Sequence, residues 1–226
     1  MDGEALRQNV TNVLDTLSQN RYKNSAPARL IAVTKTVSPA VIGLLKPLHI
    51  LDIAENRAQD LLEKLPKIAP EFRLHWIGRL QTNKVKYIIR HVCLLHALDR
   101  MALAQEVDRH AGMAGSVLPV LVQVNIARES QKAGLDDSEV KPFLQKLKGF
   151  SNIRVKGLMS MMPLCADESQ LTAWFRRMRV LFEQMENDAI DGIDMEELSM
   201  GMSNDYAIAA REGATMVRVG TALFQP

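Results

Sequence analysis

Residues 30–35 read Leu30-Ile31-Ala32-Val33-Thr34-Lys35, four apolar residues closed by a threonine and a lysine. A polar break, Asn20 to Pro27, precedes the run, and a helix-like stretch, Pro39–Leu45, follows it. A short apolar segment bounded in this way reads as a buried strand that feeds a helix. The same unit then recurs along the chain. Further strands are expected at His49–Ile53, Arg73–Ile77, Cys93–Ala97, Leu118–Asn125, Arg154–Met159, Glu197–Met200 and Met216–Val219, which makes eight with Leu30–Val33. Helix-like stretches fill the intervals: Arg57–Leu65, Asn83–Arg90, Arg100–Ala111, Ser138–Lys148, Glu168–Glu186 and Asp205–Arg211. Strict alternation of this kind points to a parallel sheet, and eight units in roughly 200 residues suit a closed (β/α)8 barrel, although an open doubly wound sheet also alternates. Leu6, Val10, Val13, Leu14 and Leu17 fall at helical spacing, so an extra N-terminal helix precedes the first strand. No low-complexity tract or Pro/Gly-rich linker divides residues 1–226, which are expected to form one α/β domain.

Composition narrows the function. The chain is 47% hydrophobic and 24% charged with a formal net charge of +2. That balance suits a soluble globule and gives no general attraction to nucleic acid. Arg176, Arg177 and Arg179 form the one local basic cluster, and a solvated helix face accounts for it. Cys93 and Cys165 lie in apolar sequence, match no metal-ligand spacing, and are expected to be reduced core thiols. No basic n-region with an apolar h-region opens the chain and no apolar run has membrane-spanning length, so a cytoplasmic protein is expected.

Several common sites are absent. No two of the twelve glycines are two residues apart, which removes the dinucleotide fingerprint, and no glycine precedes a lysine, which removes the P-loop. Neither a zinc-protease helix motif nor C-x-x-C occurs, and Gly201-Met202-Ser203 lacks the second glycine of a nucleophile elbow. What remains is Lys35 at the C-terminal end of the first strand, the end where such barrels place their sites. Partial burial there would favour a neutral amine able to form a Schiff base. Taken alone, Lys35 reads better as a lysine leaving the strand for solvent. Its company changes that: Glu55, Asn56 and Arg57 end the second strand, and His75-Trp76-Ile77-Gly78 ends the third. Ser199-Met200-Gly201-Met202-Ser203 and Arg218-Val219-Gly220-Thr221 follow strands seven and eight, where barrels commonly bind phosphate.

At these residues the sequence resembles the pyridoxal phosphate homeostasis protein family, barrel-only relatives of alanine racemase. The resemblance runs from about Leu30 to Phe224 and rests on an ordered set of motifs. These are Ala32–Lys35, Ala54–Arg57, His75–Lys84, Val124-Asn125, Lys132–Gly134, Gly157–Met159, Leu198–Ser203 and Val217–Thr221. It implies pyridoxal 5′-phosphate as cofactor, with Lys35 as the cofactor lysine. Asn56, His75, Met159, Ser199 and Met200 would line the pocket around the ring; Ser203, Gly220 and Thr221 would hold the phosphate; Arg218 would face the pyridine nitrogen. Ala54 stands where the family usually has glycine, and Gln225-Pro226 where relatives usually have glycine and a short tail, so a truncated C-terminus is an open expectation.

The resemblance also implies a carrier or buffer of intracellular vitamin B6, not an enzyme, with effects on amino-acid and keto-acid balance. A racemase needs acid/base groups on both faces of the substrate α-carbon, and its tyrosine comes from a second domain for which no residues remain. Tyr22, Tyr87 and Tyr206 lie outside the pocket motifs. A cationic partner such as Arg218 weakens the ring as an electron sink. Loss of the second domain removes the usual dimer contacts, so a monomer is expected, with apo-enzymes that use the cofactor as partners. The alternatives are an alanine racemase-like racemase or lyase, a cofactor-free Schiff-base aldolase, and an RNA- or protein-binding barrel.

Overall fold

The eight apolar segments form eight parallel strands that close in chain order: β1 (Arg29–Val33), β2 (Asp52–Glu55), β3 (Arg73–Trp76), β4 (Leu94–Leu98), β5 (Leu118–Val124), β6 (Ile153–Ser160), β7 (Ile193–Ser199) and β8 (Met216–Val219). The computed structural model describes residues 2–129, 131–164 and 166–225. Closure comes from β8 against β1, in register from Arg29 opposite Met216 to Ala32 opposite Val219. The barrel, not the open sheet, is therefore the fold. Around it stand α1 (Gly3–Gln19), α2 (Pro39–Gly43), α3 (Ala58–Lys64), α4 (Val85–Ile88), α5 (Met101–Met113), α6 (Asp137–Leu147), α7 (Glu168–Asn187), α8 (Tyr206–Arg211) and α9 (Thr221–Phe224).

The N-terminal helix completes the outer ring. The helix after β8 is only four residues long, too short to cover the β8–β1 seam. Helix α1, capped by the Asp2 carboxylate on the Glu4 amide, packs against α8 and α9. It buries Leu6, Val10, Val13 and Leu17 there. Asn9 fixes the docking by donating from Nδ2 to the carbonyls of Leu223 and Gln225, each at 3.1 Å.

Several boundaries differ from the sequence reading, each for a local reason. β2 begins at Asp52, because His49 adopts a left-handed conformation (φ 59°) that ends a 3-10 turn over Lys46–Leu48. β7 begins earlier, at Ile193, where Asp194 and Glu196 had masked the strand pattern. Both carboxylates pair across to β6: Asp194 with Arg154 and Lys156, Glu196 with Lys156. A 3-10 turn, Thr82–Lys84, takes the start of the expected fourth helix. Cys93 is exposed, not a core thiol, since it precedes β4 at the N-terminal rim of the barrel; Cys165 lies outside the described residues. Ala54 sits mid-strand without positive φ, so its methyl strains nothing.

The arginine cluster is structural. On α7, Arg176 pairs with Glu212, Arg177 with Asp137 and Arg179 with Glu183. Among the described residues no helix is long and apolar enough to cross a membrane, and no group of three or more His, Cys, Asp or Glu could hold a metal ion.

One glycine is decisive. Gly157 has φ 144°, and a Cβ there would lie 1.9 Å from the Glu197 carbonyl oxygen of the paired strand. The register slips beside it, between Val155 and Gly157 against β7 and between Val120 and Leu121 of β5. Such a bulge re-aims the residues that follow it, here Met159 and Ser160. Gly157→Ala is expected to cost about 3 kcal/mol or more, through overpacking against backbone and forced φ. Urea unfolding measures this; a loss below about 1 kcal/mol would show that the two strands can re-register.

Candidate functional site

The end of β1 is clamped before it delivers its lysine. Thr34 is fully buried; its amide donates to Ala54 O at 3.0 Å and its hydroxyl to Glu55 Oε1 at 2.8 Å. Lys64, from α3, donates at 2.8 Å to both the Thr34 carbonyl and Glu55 Oε1. Glu55 is thus a buried ion-pair partner holding β1, β2 and α3 together, and its Oε2 has no partner. Lys35, the next residue, stands exposed at the mouth of a cavity of about 640 Å³. The expected partial burial of Lys35 is therefore corrected: strand β1 has ended, and the side chain is free to reach over the cavity.

Beside the end of β1, the cavity gathers hydrogen-bond donors. The amides of Gly220 and Ala222 both point at one oxygen, Ser203 Oγ, each at 3.2 Å. A Cβ on Gly220 would come within 3.2 Å of the Val33 carbonyl oxygen, so the turn after β8 lies tight against the end of β1. Gly78 makes a similar approach after β3, where a Cβ would meet Asn56 O at 2.4 Å. Ile77 and Met161 add apolar surface. Asn56 Oδ1 is buried without a partner.

Arg218 forms the floor. It is 2% exposed and has no carboxylate within ion-pair distance among the described residues. Nη1 donates to Ser199 Oγ at 2.6 Å and Nη2 to the Ser160 carbonyl at 2.7 Å. Burial pushes its guanidinium down to about 10, opposed by the charge of Asp205. Asp205, also in the cavity wall, accepts from the Met202 amide at 2.5 Å, and burial raises its carboxyl.

Below Arg218, polar groups continue through the barrel. Ser199 Oγ lies 3.0 Å from His96 Nδ1, His96 Nε2 lies 2.9 Å from His75 Nδ1, and His75 Nε2 lies 2.9 Å from Asp52 Oδ1. Arg73 closes the series with a bidentate pair on Asp52, at 2.8 and 2.5 Å. Burial opposes ionisation of Asp52, yet the hydrogen bonds from His75 and Arg73 prevail and hold its carboxyl at about 2. Burial holds His96 well below the usual imidazole range, and the charge of Arg218 acts in the same direction.

Of the residues singled out from sequence, Lys35, Asn56, Ser203, Arg218, Gly220 and Thr221 line the one cavity. His75, Met159, Ser199 and Met200 do not. Alternation along β3 sends His75 inward to Asp52 and His96, and Met159, Ser199 and Met200 are fully buried beneath the floor. Ser199 reaches the cavity only through Arg218. Sequence reasoning missed Asp52, His96, Ser160 and Asp205. The one available signal was polar residues set in otherwise apolar strands, as in Leu94-Leu95-His96-Ala97-Leu98.

The arrangement fits pyridoxal 5′-phosphate: an accessible amine, converging amide donors for an oxyanion, apolar walls for a ring, and a buried cation at its edge. A neighbouring cavity of about 840 Å³, around Trp76, Arg57 and Lys84, contains neither Lys35 nor the converging amides.

Comparison with known proteins agrees. Residues 1–226 match the family described as alanine racemase, N-terminal domain. A pyridoxal phosphate homeostasis protein of Aquifex aeolicus is 37% identical over 198 residues, covering 87% of this chain and 86% of the relative. That of a Synechocystis strain is 34% identical, covering 87% and 90%. The solved structure of PipY from Synechococcus elongatus with PLP bound superposes with a TM-score of 0.87 at 29% identity, covering 97% of this chain and 99% of PipY. Fold, motifs and relatives converge: the chain belongs to the pyridoxal phosphate homeostasis proteins, within the alanine racemase N-terminal domain family.

Proposed function

We propose that this chain carries pyridoxal 5′-phosphate on Lys35 as a Schiff base and serves vitamin B6 homeostasis in the cytoplasm as a monomeric, non-catalytic carrier. The observation that carries this reading is the single cavity that joins the exposed Lys35 amine to the convergent Gly220 and Ala222 amides. Lys35 would hold the cofactor through its amine nitrogen, and the cofactor would supply the aldehyde that such a link requires, its oxygen being lost as water. Ser203, Gly220 and Thr221 would bind the phosphate, and Arg218 would lie at the pyridine nitrogen. Two features support carriage over catalysis. Arg218 disfavours a protonated ring and so weakens the electron sink that amino-acid chemistry needs. No tyrosine lines the cavity among the described residues. The exposure of Lys35 suits delivery to apo-enzymes that need the cofactor, which are the partners proposed.

The racemase or lyase reading rests on one group, the buried Asp205 carboxyl in the cavity wall. Its engagement by the Met202 amide leaves it poorly placed as a mobile base. Deuterium exchange at the α-carbon of added amino acids separates the two readings. Wild-type protein is expected to show little exchange; turnover on the order of 1 s⁻¹ or more, within the ordinary enzyme range, would defeat the carrier reading.

Lys35→Ala is expected to give a folded, colourless protein, whereas borohydride reduction of the loaded wild type should label Lys35 alone. Mass spectrometry of the labelled peptide decides; label on Lys64, Lys84 or Lys132 overturns the assignment. Charge-assisted hydrogen bonds contribute about 1.5–3 kcal/mol each. Pyridoxal without phosphate is therefore expected to bind weaker by on the order of a hundredfold. Equal affinities in equilibrium titrations would remove the phosphate role of the Ser203–Gly220 turn.

A further inference from the structure

We propose that Asp52, His75, His96 and Ser199 form a one-way hydrogen-bonded chain along the barrel interior that positions Arg218 against the cofactor ring. The inference rests on the cofactor reading above and extends it to residues that the cofactor does not touch.

The strands involved are β2, β3, β4, β7 and β8. β4 and β7 are not neighbours in the barrel, so the His96–Ser199 contact crosses its interior. All five side chains are buried, from 6% exposure at Asp52 to zero at His96 and Ser199. A buried polar chain is stable only when every member is satisfied, and here the two ends dictate the order. Arg218 has only N–H groups to offer, so Ser199 Oγ accepts from it. The ionised Asp52 can only accept, so His75 Nε2 carries a proton and donates to it. A proton on His75 Nδ1 would send the series the other way and leave the Ser199 hydroxyl proton unplaced beside Arg218, so the satisfied arrangement has His75 Nδ1 bare and accepting from His96 Nε2–H. The bare His96 Nδ1 in turn accepts the Ser199 hydroxyl proton. Both histidines are thereby set in the same tautomer, and all four donors point from Arg218 toward Asp52.

Such an arrangement does two things for Arg218. It orients a Ser199 lone pair at Nη1 while the Ser160 carbonyl takes Nη2, which holds the guanidinium plane and leaves its remaining N–H groups for the cavity. It also aligns a series of bond dipoles between the buried cation and the carboxylate at the opposite end of the barrel. A proton reversed anywhere in the series would leave Ser199 accepting from both sides with its own proton unplaced. Asp52, His75, His96 and Ser199 are thus positioning residues. The N-terminal mouth, where Arg73 pairs with Asp52, is coupled to the cofactor cavity through them.

The test begins without cofactor. Nitrogen-15 NMR of the cofactor-free chain is expected to find both His75 and His96 with Nε2–H and a bare Nδ1. A proton on Nδ1 of either ring overturns the chain order whatever the protein binds. The second arm loads the protein with pyridoxal 5′-phosphate and compares Asp52→Asn, Ser199→Ala and Ser199→Thr. Asp52→Asn and Ser199→Ala are expected to move the visible absorption band and weaken binding on the order of tenfold. Ser199→Thr, which keeps the hydroxyl, should restore both. An unmoved band and affinity in folded Asp52→Asn and Ser199→Ala overturn the positioning role. Should Asp52→Asn fail to fold, the near-isosteric Ser199 pair decides alone. Failure of the wild type to be labelled on Lys35 would instead sink the cofactor reading, and with it the positioning role.

Discussion

A guanidinium that is 2% exposed inside a barrel, with no carboxylate at ion-pair distance among the described residues, is the constraint around which the interior is arranged. An unmatched buried charge costs several kcal/mol even after relaxation, so Arg218 must be met by oriented dipoles. A serine hydroxyl and a strand carbonyl meet it directly, and Asp205 acts at longer range. The bulge at Gly157 belongs to the same solution, because the slipped register precedes the Ser160 carbonyl that Arg218 binds. Polar groups therefore occupy barrel space that Val, Ile or Leu fill in a purely structural barrel.

Two rigid features frame the cavity above that floor. The Glu55–Thr34–Lys64 cluster fixes the backbone up to the residue before Lys35. Gly78 and Gly220 bring the third and eighth turns into backbone contact with Asn56 and Val33. The cavity wall is thus built from strand ends and tight turns, which hold donors in place more firmly than long loops. Lys35 itself stands exposed beyond that clamp, which suits a side chain that must both capture a small molecule and release it.

Eight β-α units, the N-terminal helix and six residues of the cavity wall, Lys35, Asn56, Ser203, Arg218, Gly220 and Thr221, were legible in the sequence; Asp205 in the same wall was not. Short apolar runs and their bounding breaks are local properties, and the β8 boundaries follow from them directly. The ends of β2 and β7 were not legible. His49 left the strand through a left-handed turn, and Asp194 and Glu196 were charged residues whose partners lie on another strand. The family motifs named His75, Ser199, Met159 and Met200 as neighbours of the ring, and that inference carried no information about which way each strand residue points.

By itself, then, the sequence determined the alternation of elements, the lysine at the first strand's end and the small-residue turns after strands seven and eight, because each depends on residues adjacent in the chain. Only the tertiary structure decided that the sheet closes, that α1 packs against α8 and α9, and that Asp52, His75, His96, Ser199 and Arg218 meet. Those contacts join residues up to 103 positions apart. They exist because closing the barrel brings strands from its opposite sides within hydrogen-bonding reach, where a buried polar group must find its partner or destabilise the fold.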